Sequence, residues 1–282
     1  VGFIGDRIRD LPTDVLTYRG IDGVGFFELD AALSAPNLVC AFSTRVGGVS
    51  QGPFASLNLG MHVGDDSQTV LINRQRLSHA LGISLDEWVT AEQVHGGAVA
   101  VVTDSHRGRG AFSKELAVPG VDGLVTNTPG TWLVCFYADC VPMVFWDIAK
   151  GVVGIAHAGW RGALTNIGGA VVRAMQERFG SPVGEIRALI GPAIGPCCYE
   201  VGEDVGEKFR SLFGNDVLTQ RGGRMHLHLP KANYQYLLDG GLLARNIYIS
   251  RLCTACNRDM FYSYRRDKGP TGRMAAVVGL RE

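Results

Sequence analysis

Eight short apolar runs, none longer than six residues, constrain this chain to a fold built around β-sheet. Val89–Val94, Ala98–Thr103, Trp132–Tyr137, Met143–Trp146, Val152–His157, Ile186–Ile190, Ile247–Leu252 and Met274–Gly279 are rich in β-branched or aromatic residues and bounded by Gly, Pro or Asp. Branched and aromatic side chains pack well on a pleated surface, and such boundaries end strands. Helix signals are fewer. After Ser67 as N-cap, Val70, Leu77 and Leu81 share one helical face, and Gly82 can end that helix. Leu164, Ile167, Val171, Met175 and Phe179 predict a helix over Ala163–Phe179, closed by Gly180. Weaker patterns predict helices over Glu203–Phe213 and Pro230–Ala244, and the polar stretch Ser105–Lys114 reads as an exposed loop. Strands and helices follow one another without a βαβ rhythm and no linker divides them. The expected class is α+β, one domain over residues 1–282 of mixed β-sheets packed together with flanking helices.

Charge excludes several partners. Twenty-seven Lys and Arg balance 27 Asp and Glu, so the chain lacks the positive excess that non-specific nucleic-acid or anionic-membrane binding needs. The longest apolar stretch, Trp132–Trp146, is interrupted by Asp139 and Pro142 and falls short of the ~20 residues of a membrane span. Asp6, Arg7, Arg9 and Asp10 leave no apolar core for a secretory leader in Val1–Asp30. Seven cysteines, an odd number, read as free thiols in a reducing cytoplasm. With no heptad and no apolar surface stripe, the expected state is a monomer acting on a small molecule.

Glycine marks where chemistry concentrates. It makes up 38 of 282 residues and gathers at Gly47-Gly48, Gly96-Gly97, Gly159, Gly162, Gly191 and Gly195, beside polar side chains. Cys140 and His157 each end an apolar run, 17 positions apart, so adjacent strands could bring thiol and imidazole together. His95 ends another run, with glycine beside it. One Cys and two His suit Zn2+ with a fourth position open, and Cu2+ competes well for such a set. The same atoms could form a Cys140–His157 dyad oriented by Asp139, or be satisfied core residues. Spacing alone leaves all three readings open. Arg45 lies in a glycine-rich turn, Arg161 at a helix start where an anion would be welcome, and Arg265 after an aromatic run; each could equally serve the surface. Cys253 and Cys256 form a lone CxxC, and His62, His79, His106, His226 and His228 have no partner at telling spacing.

Taken in order, the segments spell a family. They are Ala41–Ser50 (AFSTRVGGVS), Ser56–Gly60 (SLNLG), Gln93–Gly96 (QVHG), Asp122–Leu124 (DGL), Ala138–Pro142 (ADCVP) and His157–Gly162 (HAGWRG). Ile190–Ile194 (IGPAI) with Cys197–Val201 (CCYEV) follows, then Phe261–Asp267 (FYSYRRD) before Thr271–Met274 (TGRM). The chain resembles the YfiH/YlmD family, the laccase-domain or multicopper polyphenol oxidoreductase-like proteins, from about Phe42 to Leu280.

The resemblance implies zinc held by His95, Cys140 and His157. It also implies purine nucleoside chemistry: phosphorolysis of adenosine, inosine and methylthioadenosine, and deamination of adenosine. Arg45, Arg161 and Arg265 are then the candidates to clamp phosphate, since guanidinium forks match its oxygens. Asn58 could hydrogen-bond sugar or base, and Asp139 or Glu200 could orient a zinc ligand or take a proton. The same likeness admits a Cys–His amidohydrolase editing peptidoglycan precursors, with Cys140 as nucleophile. It also admits the older description as copper polyphenol oxidases. A true multicopper site needs many paired imidazoles, and His226 with His228 is the one HxH pair among seven histidines.

Overall fold

The computed structural model describes residues 15–31 and 33–282. The charged stretch Asp6–Asp10 that argued against a leader lies outside them. Three strands come first, β1 (Leu16–Ile21), β2 (Val24–Leu29) and β3 (Leu38–Ser43), then helix α1 (Ser67–Leu81). Next are β4 (Trp88–Thr90), β5 (Val99–Val101), β6 (Gly123–Thr126), β7 (Trp132–Tyr137), β8 (Val141–Asp147) and β9 (Val152–Ala158). Helices α2 (Trp160–Leu164) and α3 (Ile167–Phe179) follow, then β10 (Arg187–Ile190), α4 (Glu203–Phe213), the pair β11 (Leu218–Arg221) and β12 (Arg224–Leu227), and α5 (Leu229–Asp239). The chain closes with β13 (Ile247–Ile249), α6 (Tyr264–Asp267) and β14 (Met274–Leu280). Among the described residues no helix is long and apolar enough to cross a membrane.

Two six-stranded mixed sheets result, in the orders β1-β2-β3-β14-β7-β4 and β13-β10-β8-β9-β6-β5, with β11-β12 a separate hairpin. Strand alternation sorts the side chains into layers. In β7, Leu133, Cys135 and Tyr137 enter the core between the sheets, where they meet Val144 and Trp146 of β8, Val153 and Ile155 of β9, and Ala276 and Val278 of β14. Trp132, Val134 and Phe136 of β7 face the other way, onto Leu77, Ala80 and Leu81 of α1. The outer face of the second sheet carries Met143, Phe145 and Ala156, covered by Ile167, Val171 and Met175 of α3, Phe209 of α4 and Leu237 of α5. Apart from edge strand β1, exposed from Tyr18 to Ile21, both sheets are therefore covered on both faces. That is why the strand runs read as continuously apolar although most of the pairing is antiparallel.

Several boundaries differ from the sequence expectation for local reasons. Asp66, not Ser67, caps α1, its carboxylate accepting from Thr69 N at 2.7 Å. The helix expected over Ala163–Phe179 is two helices. Asn166 between them adopts a left-handed backbone (φ 54°) and caps α3 by accepting from Gly169 N at 2.9 Å. The run Val89–Val94 is strand only to Thr90; Gln93 (φ 61°) and His95 (φ 60°) are left-handed, so the chain turns before the histidine. The last predicted helix stops at Asp239, short of Ala244, where Gly240 and Gly241 follow.

One buried cation ties the loops above the first sheet. Arg74 on α1 is 1% exposed and donates to Leu59 O (2.9 Å), Gly110 O and Ala111 O (both 2.7 Å), with its guanidinium over Phe136 at 4.4 Å. Burial pulls its pKa down to about 9. Three carbonyls would lose their donor in Arg74→Ala, so urea unfolding should show a loss of about 3 kcal/mol or more, and Arg74→Lys, without the fork, should recover only part. A loss within 0.5 kcal/mol would show that these loops do not depend on it.

Candidate active site and metal centre

Strand register explains how distant residues meet. β8 and β9 pair with Val141 opposite Ala158 and Pro142 opposite His157, so Cys140, one residue before β8, faces Gly159, one residue after β9. β6 lies on the other side of β9 with Gly123 opposite Ala156, which puts Asp122 beside His157. His157 N donates to Asp122 O at 2.9 Å. The turn bearing His95 is pinned to the same aspartate: His95 N donates to Oδ1 (3.0 Å) and Gly96 N to Oδ2 (2.7 Å). His157 Nδ1 shares Oδ1 at 3.0 Å. Gln93 braces this turn by bonding both ways to the Phe136 backbone, at 2.7 and 2.8 Å.

The product is a compact ligand set. One ligand atom each from His95, Cys140 and His157 lies within 4.8 Å of the others. The imidazoles meet edge to face, centroids 4.9 Å apart. Because Asp122 occupies Nδ1 of His157, Nε2 is left to face Cys140, the arrangement in which a carboxylate fixes the tautomer of a metal-binding histidine. A thiolate and two imidazoles in this arrangement fit Zn2+ with one position open. Electrostatics agree. Burial alone would raise the Cys140 thiol, but His157 and His95 outweigh it and bring its pKa down to about 6. Burial alone would lower His157, yet Cys140 and Asp122 raise it to about 9. Asp122 is held below the ordinary carboxylate value despite burial, through His157 and the N–H groups of Gly96 and His95.

The structure separates the remaining sequence candidates. Asp139 does not orient His157; its carboxylate accepts from Thr254 Oγ1 (2.6 Å), Ser263 Oγ (3.0 Å) and Arg265 N (2.7 Å). The orienting role assigned to Asp139 geometrically belongs to Asp122, which the sequence displayed but whose partner no spacing revealed. Asn58 is fully buried and spends its amide internally, on Gly60 O, Asp65 Oδ2, Gly60 N and Arg273 N, leaving nothing for sugar or base. Arg45 donates to Ala55 O through Nε (3.0 Å) and Nη2 (2.7 Å) and to Arg258 O through Nη1 (3.3 Å), and lies over Tyr262; this is a loop brace rather than an open clamp. Glu200 points to solvent and pairs with Arg224 at 3.0 Å. Arg265 stacks on Tyr199 and donates to Glu200 O. Arg161 is exposed on the first turn of α2, beside Trp160.

Two side chains that sequence reasoning passed over lie within electrostatic reach of the site. Arg273 is close enough for its charge to interact with Cys140 and Asp139, although burial lowers its pKa. His62 is held neutral, at about 4, by desolvation and then by Arg273, Lys114, Arg74 and His157. His62 lies in a loop with no periodicity, and no sequence signal singled it out. Arg273 stood within a quoted motif, but its direction depends on β14.

The family described as multi-copper polyphenol oxidoreductase laccase matches residues 39–281. The chain belongs to that family. A protein of Geobacillus stearothermophilus named purine nucleoside phosphorylase YlmD is 47% identical over 248 residues, covering 86% of this chain and 90% of its own. A protein named adenosine deaminase RL5, from an unknown prokaryotic organism, is 39% identical over 244 residues, 85% of this chain and 92% of its own. The crystal structure of YlmD from Geobacillus stearothermophilus superposes with a TM-score of 0.90 at 43% identity, over 95% of this chain and all of that one.

Two outcomes follow from the site. In metal-free protein, alkylation of Cys140 by iodoacetamide should rise with a midpoint near pH 6, because thiolate is retained as pH falls to that value; a midpoint near the ordinary thiol value of 9 would remove the His157 contribution. Gly159 has an ordinary φ of −70°, but an added Cβ would lie 3.0 Å from His95 Cδ2 and 3.1 Å from Cys140 Sγ. Gly159→Ala should therefore keep the circular dichroism of the fold while weakening zinc binding at least as much as Asp122→Asn, about 10–100-fold, measured by chelator competition.

Proposed function

We propose that this enzyme is a zinc-dependent purine nucleoside phosphorylase that also deaminates adenosine, accepts inosine and methylthioadenosine, and works as a cytoplasmic monomer. The observation that carries the reading is the convergence of His95, Cys140 and His157 on one point, braced by Asp122. The names of close relatives supply the substrate class. Seven free thiols suit a reducing compartment.

His95, Cys140 and His157 would hold the metal, which when bound supplies Lewis-acid polarisation at the coordination position the protein leaves open. The chain's own groups do the rest. Asp122 fixes the His157 ring and keeps its Nδ1 proton. The exposed Arg161 offers its guanidinium fork to phosphate, and Arg273, whose Nη1 is tied to Thr271 O and Gly272 O, contributes charge toward Cys140; Arg45 and Arg265 support the loops instead. Asp139, tied to Thr254, Ser263 and Arg265, holds the turn from which Cys140 projects. Tyr264, 63% exposed beside Arg273, offers a face on which a purine can stack.

A second reading rests on the charge pairing of Cys140 with His157. A thiolate held by an imidazolium and backed by a carboxylate is the constellation of a cysteine amidohydrolase, with Cys140 as nucleophile and His157 as base. A laccase mechanism gains no support, because the HxH pair His226 and His228 joins no cluster of potential metal ligands among the described residues.

Product analysis separates these. Adenosine with phosphate should give adenine and ribose 1-phosphate, and without phosphate should give inosine and ammonia; both should stop on chelation and return with zinc. Metal analysis of the purified protein decides between Zn2+ and Cu2+ at the site. Arg161→Ala should raise the phosphate KM about 10-fold, the loss of one charge-assisted hydrogen bond, with deamination little changed. Zinc-loaded protein inert to all three nucleosides would leave the metal a role in stabilising the fold alone, and zinc-free protein whose activity dies on alkylation of Cys140 would replace this reading with the amidohydrolase.

A further inference from the structure

The candidate active site uses one of seven cysteines, and Cys40 and Cys135 are accounted for as buried members of the inter-sheet core, where burial pushes their thiols up. The other four come together. β10 and β13 pair in parallel, Ile190 opposite Ile249, so their chains leave the sheet at the same end. A further parallel bridge, Ala193 with Cys253, carries the pairing into the two loops. Cys197 and Cys198 ride on the first loop and Cys253 and Cys256 on the second.

Their sulfurs lie within 4.8 Å of one another, Cys197 and Cys198 each 3.4 Å from Cys256. A disulfide needs about 2.05 Å, so these are thiols gathered without a bond. Four sulfurs at about 2.3 Å from a tetrahedral ion would be about 3.8 Å apart, within the observed range. The loop backbone is already turned toward the sulfurs. Gly195 N donates to Cys253 Sγ at 3.2 Å, and the Cys256 N–H points to the same atom. Such donors stabilise thiolate. Arg266, itself paired with Asp267 at 2.7 Å, donates to Thr254 O (3.1 Å) and Ala255 O (3.4 Å) and so holds the peptide between two of the cysteines in place.

We infer that Cys197, Cys198, Cys253 and Cys256 form a second metal site, a tetrathiolate centre that takes zinc. Four thiols release their protons to solvent and four Zn–S bonds form, with no change of oxidation state; the site carries a net charge of −2, screened by solvent at the exposed Cys197 and Cys256. Four protein ligands close the coordination sphere, so this ion is structural. Its consequence reaches the active site through one residue. Thr254, inside the CxxC, donates to Asp139 Oδ1 at 2.6 Å, and Asp139 directly precedes Cys140. The ion therefore clamps the loop that steadies the turn carrying a ligand of the first site.

The test uses the Cys140→Ser protein, which loses the first site and keeps all four cysteines, so its outcome does not depend on the nucleoside reading. Elemental analysis should find two zinc ions per wild-type chain, one in Cys140→Ser and none when Cys197→Ser or Cys256→Ser is added. Zinc-edge absorption of Cys140→Ser should show sulfur ligands alone at about 2.3 Å. Chelation should lower its Tm, a readout independent of activity. Zinc-free Cys140→Ser, a nitrogen shell around its zinc, or zinc that survives both added substitutions overturns the inference. So does a thiol titre, in denaturant without reductant, that falls short of seven in wild type by a disulfide pair.

Discussion

The carboxylate of Asp122 is the point on which the rest of the site depends. A buried carboxylate is costly unless its oxygens are paired, and here the pairing is supplied by His157 Nδ1 and by the backbone N–H groups of His95 and Gly96. One anion therefore fixes two imidazoles from different parts of the chain, and the orientation it gives His157 turns Nε2 to Cys140. Together with Cys140 the same anion raises the pKa of the histidine, and it is His157 and His95 that help the thiol to ionise. A metal ligand set and a nucleophilic dyad are two readings of one electrostatic arrangement.

Around that anchor the fold acts as a register device. Six strands of the second sheet are covered on one side by the first sheet and on the other by α3, α4 and α5, and slipping β9 by one residue would invert every buried side chain. The apolar core thus sets the positions of Cys140, His157 and Asp122 to within a residue. The loops and short helices above carry Arg161, Arg273, Tyr264 and His62, and the polar braces from Arg45, Arg74, Asn58 and Asp139 hold the loops to the sheets. Guanidinium groups and amides that look available in a sequence are consumed in this way because loop carbonyls need donors.

Much of this was legible in the chain. The strand runs Trp132–Tyr137 and Val152–His157 and the helix Glu203–Phe213 appear where their patterns place them, since long periodic segments carry their own signal. The α+β class followed from their order. His95, Cys140 and His157 stood out because each ends an apolar run, and they do converge. The break at Asn166 was hidden, because a side-chain cap in left-handed backbone competes with an unbroken apolar stripe. Arg45 and Asn58 drew attention as polar residues amid glycine, but which carbonyl a guanidinium reaches is settled only when Ala55 and Arg258, 203 positions apart in sequence, are neighbours.

The sequence by itself determined the strand runs that became β4, β5, β7–β10, β13 and β14, the balanced charge, and the residue types able to hold a metal, because these depend on local propensity and composition. Only the tertiary structure revealed β1–β3, β6 and the β11-β12 hairpin and decided which aspartate serves His157, which arginine's charge reaches Cys140, and that Cys197, Cys198, Cys253 and Cys256 meet. Those are long-range pairings set by the register of strands, and a linear pattern carries no record of which strand lies beside which.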